Sequence, residues 1–287
     1  MNALISDARP LNYNPCRYAG STAHFRGPQR ALSGDYIACI GGTETFGKFI
    51  ETPYPALIER ITGRTSINLG CLHAGIDAFI RQPRLLDICT NAHTTVIQVM
   101  GATNMSNRHY AVDPLRNDRF LRASKPLKAI YPEVNFSQFE RIDQMLTVLA
   151  RISPARLHEV RREVQTAWVA RMRSLINTIG GRIVLLWMAD HAPYSNAQGG
   201  TICRDPMFVD RAMLNAIAAP NTHLIEIVVP PEDIARGMQT TVFEHTEDPT
   251  AFAMLGPVAH HRAADQLAQV LVDAIEPDEI FNIFAKD

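Results

Sequence analysis

Residues 35–47, DYIACIGGTETFG, place two hydroxyls, Thr43 and Thr45, and one carboxylate, Glu44, directly after a short apolar run. A hydroxyl becomes nucleophilic when a neighbouring base takes its proton, and acyl transfer also needs donors where negative charge develops on the carbonyl oxygen. Two later polar stretches offer such donors. Residues 68–77, NLGCLHAGID, contain Gly70 and Gly75, and residues 101–110, GATNMSNRHY, contain Asn104 and Asn107. Candidate bases are His260 and His261, with Asp190 and His191 as a rival acid/base pair. Each residue also has a structural use: Thr43 could cap a following helix, and the glycines could answer tight turns.

The same first loop admits a second chemistry. Residues 42–48, GTETFGK, fit the GxxxxGK pattern of a phosphate-cradling loop, and Asp190 could then serve as a metal-binding acid. Against this, Phe49 stands where a magnesium-holding Ser or Thr belongs, and Glu44 would put a negative charge inside the cradle. Pro53 and Pro55 also interrupt the helix whose N-terminus should face the phosphates.

The elements that must position these loops read as alternating strands and helices. Strands are expected at 36–40, 64–69, 94–100, 182–188 and 223–229, where apolar runs end in Gly, Pro or polar residues. Helices are expected at 53–62, 78–92 with a break at Pro83, 137–151, 206–218 and 260–275. Ser153-Pro154 sets an N-cap and first-turn proline for a long helix, in which Leu157, Val160, Val164, Trp168, Met172, Leu175 and Ile179 form one apolar stripe. This alternation predicts an α/β fold, a three-layer α/β/α sandwich around a five-stranded parallel sheet, which puts the first three loops at one edge. Residues 1–34 read as an N-terminal arm, and residues 35–287 as one domain with a helical insertion at about 105–180.

Composition bounds the function. The chain has 287 residues, 46% hydrophobic and 20% charged, enough for a sizeable core. Lys and Arg number 28 against 29 Asp and Glu, without a long single-sign block, so no nucleic-acid partner is expected. The five cysteines, Cys16, Cys39, Cys71, Cys89 and Cys203, lack the paired spacing of a zinc site and read as reduced and mostly buried. No metal or cofactor is implied. No apolar run reaches the ~20 residues of a membrane span, so a cytoplasmic protein with no membrane partner is expected. Arg108, Arg116, Arg119 and Arg122 form a basic cluster, either a salt-bridged face or an anion site for a substrate such as an acidic saccharide.

Taken together, the blocks resemble those of the SGNH hydrolases, the GDSL esterase and lipase superfamily. GGTETFG at 41–47 resembles that family's first block, GDSLTFG or similar, with Thr43 in the place of the nucleophilic serine and Gly42 in that of the aspartate. Residues 68–75 resemble the second block, which implies Gly75, or alternatively Gly70, as an oxyanion amide. Residues 101–104 resemble the third, which implies Asn104, with Asn107 as substitute, as the side-chain donor. The last block, normally DxxH, is represented by His260 or His261 without the aspartate, since Pro257 and Val258 stand there. Glu44, Asp190 or Glu244 could compensate. The resemblance implies an ester hydrolase or acyltransferase with a Thr nucleophile, acting on a small-molecule or carbohydrate-type substrate. Gly42, Glu44, Asn107, Arg108 and His191 are the expected substrate contacts. The alternative is an inactive binding or scaffold protein on the same fold. The RNDRF segment and the Trp-containing helix are also similar to a bacterial domain family of unknown function.

Overall fold

Tyr36–Gly41 (β1) is buried along its whole length, with alternate residues entering two different cores. Tyr36, Ala38 and Ile40 join one apolar cluster, and Ile37 and Cys39 the other. A strand covered on both faces belongs in the middle of a parallel sheet. The computed structural model, which describes residues 11–18, 20–195, 204–238 and 254–272, places β1 there. Its neighbours are Thr65–Gly70 (β2) and Thr94–Gln98 (β3), followed outward by Arg182–Ala189 (β6) and Thr222–Val228 (β7). The order is β2-β1-β3-β6-β7. All four pairings are parallel, with Gly41 opposite Gly70 at the shared end of β1 and β2. The expected five-stranded parallel α/β sandwich is therefore present.

Two layers of helix cover the sheet. On one side Tyr54–Thr62 (α2) packs with Gly256–Val272 (α10) over Ile37, Cys39, Val96 and Val184. On the other, the larger core takes residues from Asp77–Ile80 (α3), Pro83–Thr90 (α4), Ile142–Ile152 (α6) and Pro154–Ile179 (α7). Pro83 does split the expected 78–92 helix in two, because a proline ring removes the amide that would continue it. Ser153 caps α7 as its sequence predicts, accepting from the Arg156 amide at 3.3 Å. Trp168, wholly buried, donates from Nε1 to the Met100 carbonyl at 3.0 Å and pins α7 to the loop after β3.

The expected insertion opens, over residues 105–135, with a small antiparallel pair, Tyr110–Val112 (β4) with Phe120–Ala123 (β5), then Lys125–Ile130 (α5). The helix expected at 206–218 is shorter, Arg211–Ala216 (α8), because Asp210 caps it by accepting from the Met213 amide at 2.9 Å. Three short helices complete the description: Thr43–Phe46 (α1) after β1, the 3-10 turn Phe136–Gln138 before α6, and Pro231–Met238 (α9) after β7. Cys39, Cys71 and Cys89 are free and buried, and burial pushes each thiol up to about 12. Cys203 lies outside the described residues, as does Glu244. Among the described residues no helix is long and apolar enough to cross a membrane.

Candidate active site

The parallel sheet directs its loops to one edge, and a cavity of about 640 Å³ opens there. Gly42, Thr43 and Glu44 line it from the end of β1, His73 and Ala74 from the β2 loop, and Gly101 and Asn104 from the β3 loop. Asp190 follows β6, while Arg204 and Asp205 precede α8. Met254 and Leu255 bring the start of α10 to the rim.

Thr43 is held by its neighbour from the second loop. The His73 amide donates to Thr43 Oγ1 at 3.0 Å, with His73 at a left-handed φ of 57°. No imidazole nitrogen hydrogen-bonds that hydroxyl among the described residues. His73 shares the cavity wall with Thr43, and its Nδ1 lies 3.9 Å from Asp118 Oδ2. Desolvation holds this imidazole below its ordinary 6.5, against the opposing pull of Asp118 and with help from Arg116, Arg141 and Lys48. It is thus a neutral base at pH 7. Asp118 is itself fixed by Arg116 at 3.2 Å and Arg141 at 3.4 Å.

Gln98, the last residue of β3, sets the first loop. Its Oε1 accepts from the Gly42 amide at 3.0 Å, the Thr45 amide at 3.1 Å and the Thr45 hydroxyl at 2.6 Å. Thr45 Oγ1 also meets the Tyr54 hydroxyl at 3.0 Å. These bonds work against the phosphate-loop reading: two of the amides that would cradle an anion face a glutamine oxygen, and the helix that follows has only four residues.

The remaining expected residues divide sharply. Asn104 lines the cavity, where its Oδ1 meets the Thr103 hydroxyl at 3.4 Å, leaving the carboxamide NH₂ as the donor. Gly75 does not supply an oxyanion amide, because that N–H donates to Asn117 Oδ1 at 2.8 Å. The glycine answers a steric demand instead: a Cβ there would sit 1.7 Å from the Asn104 carbonyl oxygen. Gly70 is equally constrained, with the Phe46 amide nitrogen 2.2 Å from where its Cβ would be. Asn107 is spent on its own turn, accepting from the His109 and Tyr110 amides. Arg108 lines a separate cavity with His109 and Arg162, so it does not contact a ligand at the first site.

Of the two histidines on α10, His261 is exposed and away from the cavity, while His260 is wholly buried. His260 Nδ1 accepts from the Tyr54 amide at 3.2 Å, so the neutral ring carries its proton on Nε2, 3.3 Å from Glu44 Oε2. Glu44 Oε1 accepts from the Leu255 amide at 3.1 Å. His260 therefore lies beside Glu44 without a well-aligned hydrogen bond and makes none to Thr43. His191 is likewise a support: its Nδ1 lies 2.7 Å from Asp190 Oδ1, and its ring stands edge-on to Trp187. Burial tends to raise Asp190, but bonds from His191 and Arg204 bring it below the ordinary carboxylate value.

Sequence reasoning passed over His73, Gln98, Asp118 and Asp205. A signal existed for Gln98, a polar residue inside the otherwise apolar run VIQVM. Asp205 opens into the cavity, yet the walls around it desolvate its carboxyl and raise it, with Glu44 and Asp143 adding like-charge repulsion. Among the described residues no group of three metal-ligating side chains is assembled.

The sheet and its edge cavity define a three-layer α/β protein with a polar pocket at the strand ends. The chain belongs to the family described as domain of unknown function DUF6473, which it matches over residues 1–275. No curated protein matches it. Among solved structures it is similar to the lipase Lip_vut3 from a goat rumen metagenome, at 10% identity and a TM-score of 0.37, over 80% of this chain and 97% of that one.

Proposed function

We propose that this protein is an ester hydrolase or acyltransferase, with Thr43 as the nucleophile, His73 as its base and the Asn104 carboxamide as the oxyanion donor. What supports the reading is that Thr43, His73 and Asn104 line one cavity at the strand ends, with the His73 backbone amide donating to Thr43 Oγ1 at 3.0 Å. That bond uses one lone pair of the hydroxyl and leaves its proton to be given away. In the reaction, His73 takes the Thr43 proton as Oγ1 attacks the acyl carbon. The carbonyl oxygen becomes negative and meets the Asn104 NH₂. His73 returns the proton to the departing alcohol, and water, activated in the same way, releases the acid and restores Thr43. Asp118, 3.9 Å from Nδ1, stabilises the imidazolium that forms as the proton is taken, the electrostatic part a triad carboxylate plays. The β-branched methyl of Thr43 limits its rotation and slows attack relative to serine.

Hydrolysis of p-nitrophenyl acetate tests the assignment. Turnover is expected to be lost in Thr43→Ala and His73→Gln, and kept or raised in Thr43→Ser. The commitment of the Gly75 amide to Asn117 favours a second reading, a ligand-binding cavity without turnover. That reading takes over if the wild-type protein turns over no acyl ester.

A further inference from the structure

The charged groups on the cavity wall are unequally matched. Among the described residues two guanidiniums face it, and both are already occupied. Arg204 places Nε and Nη2 on Asp190 Oδ2 at 3.1 and 2.7 Å. Arg141 binds both oxygens of Asp143 at 3.0 Å, and its third nitrogen reaches Asp118. A carboxylate or phosphate ligand would need such a fork free. The groups left over are acidic. Among the described residues Glu44 has only the Leu255 amide and the His260 ring, and Asp205 only the Met207 amide, at 3.2 Å on Oδ1. Neither has an Arg or Lys partner among the described residues. Glu44 Oε2 is buried beside the cavity with no hydrogen bond, so this carboxylate oxygen has acceptor capacity left.

We infer that the cavity selects a cationic substrate, an acyl compound carrying an ammonium group that sits between Glu44 and Asp205, and that it rejects anionic acyl compounds. The inference rests on the proposed acyl-transfer reading for the word substrate, but the charge preference itself does not. An ammonium supplies three donors to carboxylate oxygens that lack a cationic partner. An anion entering the same walls would meet like charge with no free guanidinium to offset it. The acidic-saccharide expectation attached to the arginine cluster is replaced by its opposite, because Arg108 faces elsewhere and Arg116 is held by Asp118.

The test is calorimetric binding of three ligands of matched length, hexylamine, hexanol and hexanoate, to the full-length protein with EDTA present. It runs beside turnover of p-nitrophenyl esters of 6-aminohexanoic, hexanoic and adipic acids. Hexylamine is expected to bind at least about tenfold more tightly than hexanoate, the ratio an ion pair of ordinary strength gives. Asp205→Asn, which keeps an acceptor for the Met207 amide, should remove most of that preference. Arg204→Gln frees the Asp190 carboxylate and should increase it, which gives a second reading if the first variant folds poorly. Tighter hexanoate binding, or a preference indifferent to both variants, overturns the inference. Ammonium-selective binding without turnover of any ester supports the inference and removes the esterase. Turnover blind to substrate charge does the reverse.

Discussion

Replacing Gln98 with leucine removes the acceptor on which the first loop is built, at almost constant volume. The wild-type Oε1 receives two backbone amides, from Gly42 and Thr45, and one hydroxyl. The Thr45 hydroxyl keeps Tyr54 as a partner, so two buried N–H groups lose theirs. Each such group costs about 1–3 kcal/mol. Gln98 also borders the cavity, so water can reach part of the gap and the lower half of that range applies. The expected destabilisation is about 2–4 kcal/mol. Urea unfolding followed by tryptophan fluorescence measures it, as a lowered midpoint at unchanged slope. Thr45→Val is the companion, losing one hydroxyl bonded to both Gln98 and Tyr54, and should cost about 1–2 kcal/mol. A loss below about 0.5 kcal/mol for Gln98→Leu, the size of an ordinary surface change, would refute the claim that this side chain organises the loop.

Other consequences follow from the same geometry. Because the His73 imidazole lies below 6.5, it stays neutral to lower pH than a free histidine. The acid limb of kcat/KM should therefore fall below 6.5, and a limb above that value would assign the base elsewhere. Asp190 has a folded value below its ordinary 3.8. Its contribution to stability is complete above 3.8 and disappears as pH falls through the lower folded value. Asp190→Asn should thus destabilise the protein at pH 5 and converge with wild type as the pH is taken toward 3, read from urea midpoints. Gly75→Ala drives a Cβ into the Asn104 carbonyl and should cost about 1–3 kcal/mol, with Asn104 displaced and turnover reduced; an unchanged midpoint would contradict the close packing of those two loops.

The sheet is legible in the sequence because β1, β3 and β6 are apolar runs buried on both faces and stopped by glycine or polar residues. Such runs have no other stable home than the centre of a parallel sheet. β4 and β5 were not legible, since their combined seven residues are too few to show a period. The site was legible only as far as position along the chain determines it. Thr43, Glu44 and Asn104 follow strand ends, and a parallel sheet brings such ends together. Which donor meets which acceptor depends on distant partners. The Gly75 amide goes to Asn117, forty-two residues on, and His260 to Tyr54, two hundred and six residues back. Adjacent His260 and His261 look equivalent in sequence, but successive helical side chains diverge by about 100°, so α10 can bury only one of them. His73 was hidden for a simpler reason: its contact to Thr43 is made by its backbone, to which residue type gives no clue.

Under the proposed mechanism Thr43 becomes covalently acylated. The most direct measurement is peptide-mapped mass spectrometry after rapid acid quench of the wild-type protein turning over p-nitrophenyl acetate, with Thr43→Ala alongside. An acetyl adduct is expected on the peptide containing Thr43, absent in Thr43→Ala together with its turnover. Turnover that survives in Thr43→Ala, or an adduct on another residue, would contradict it.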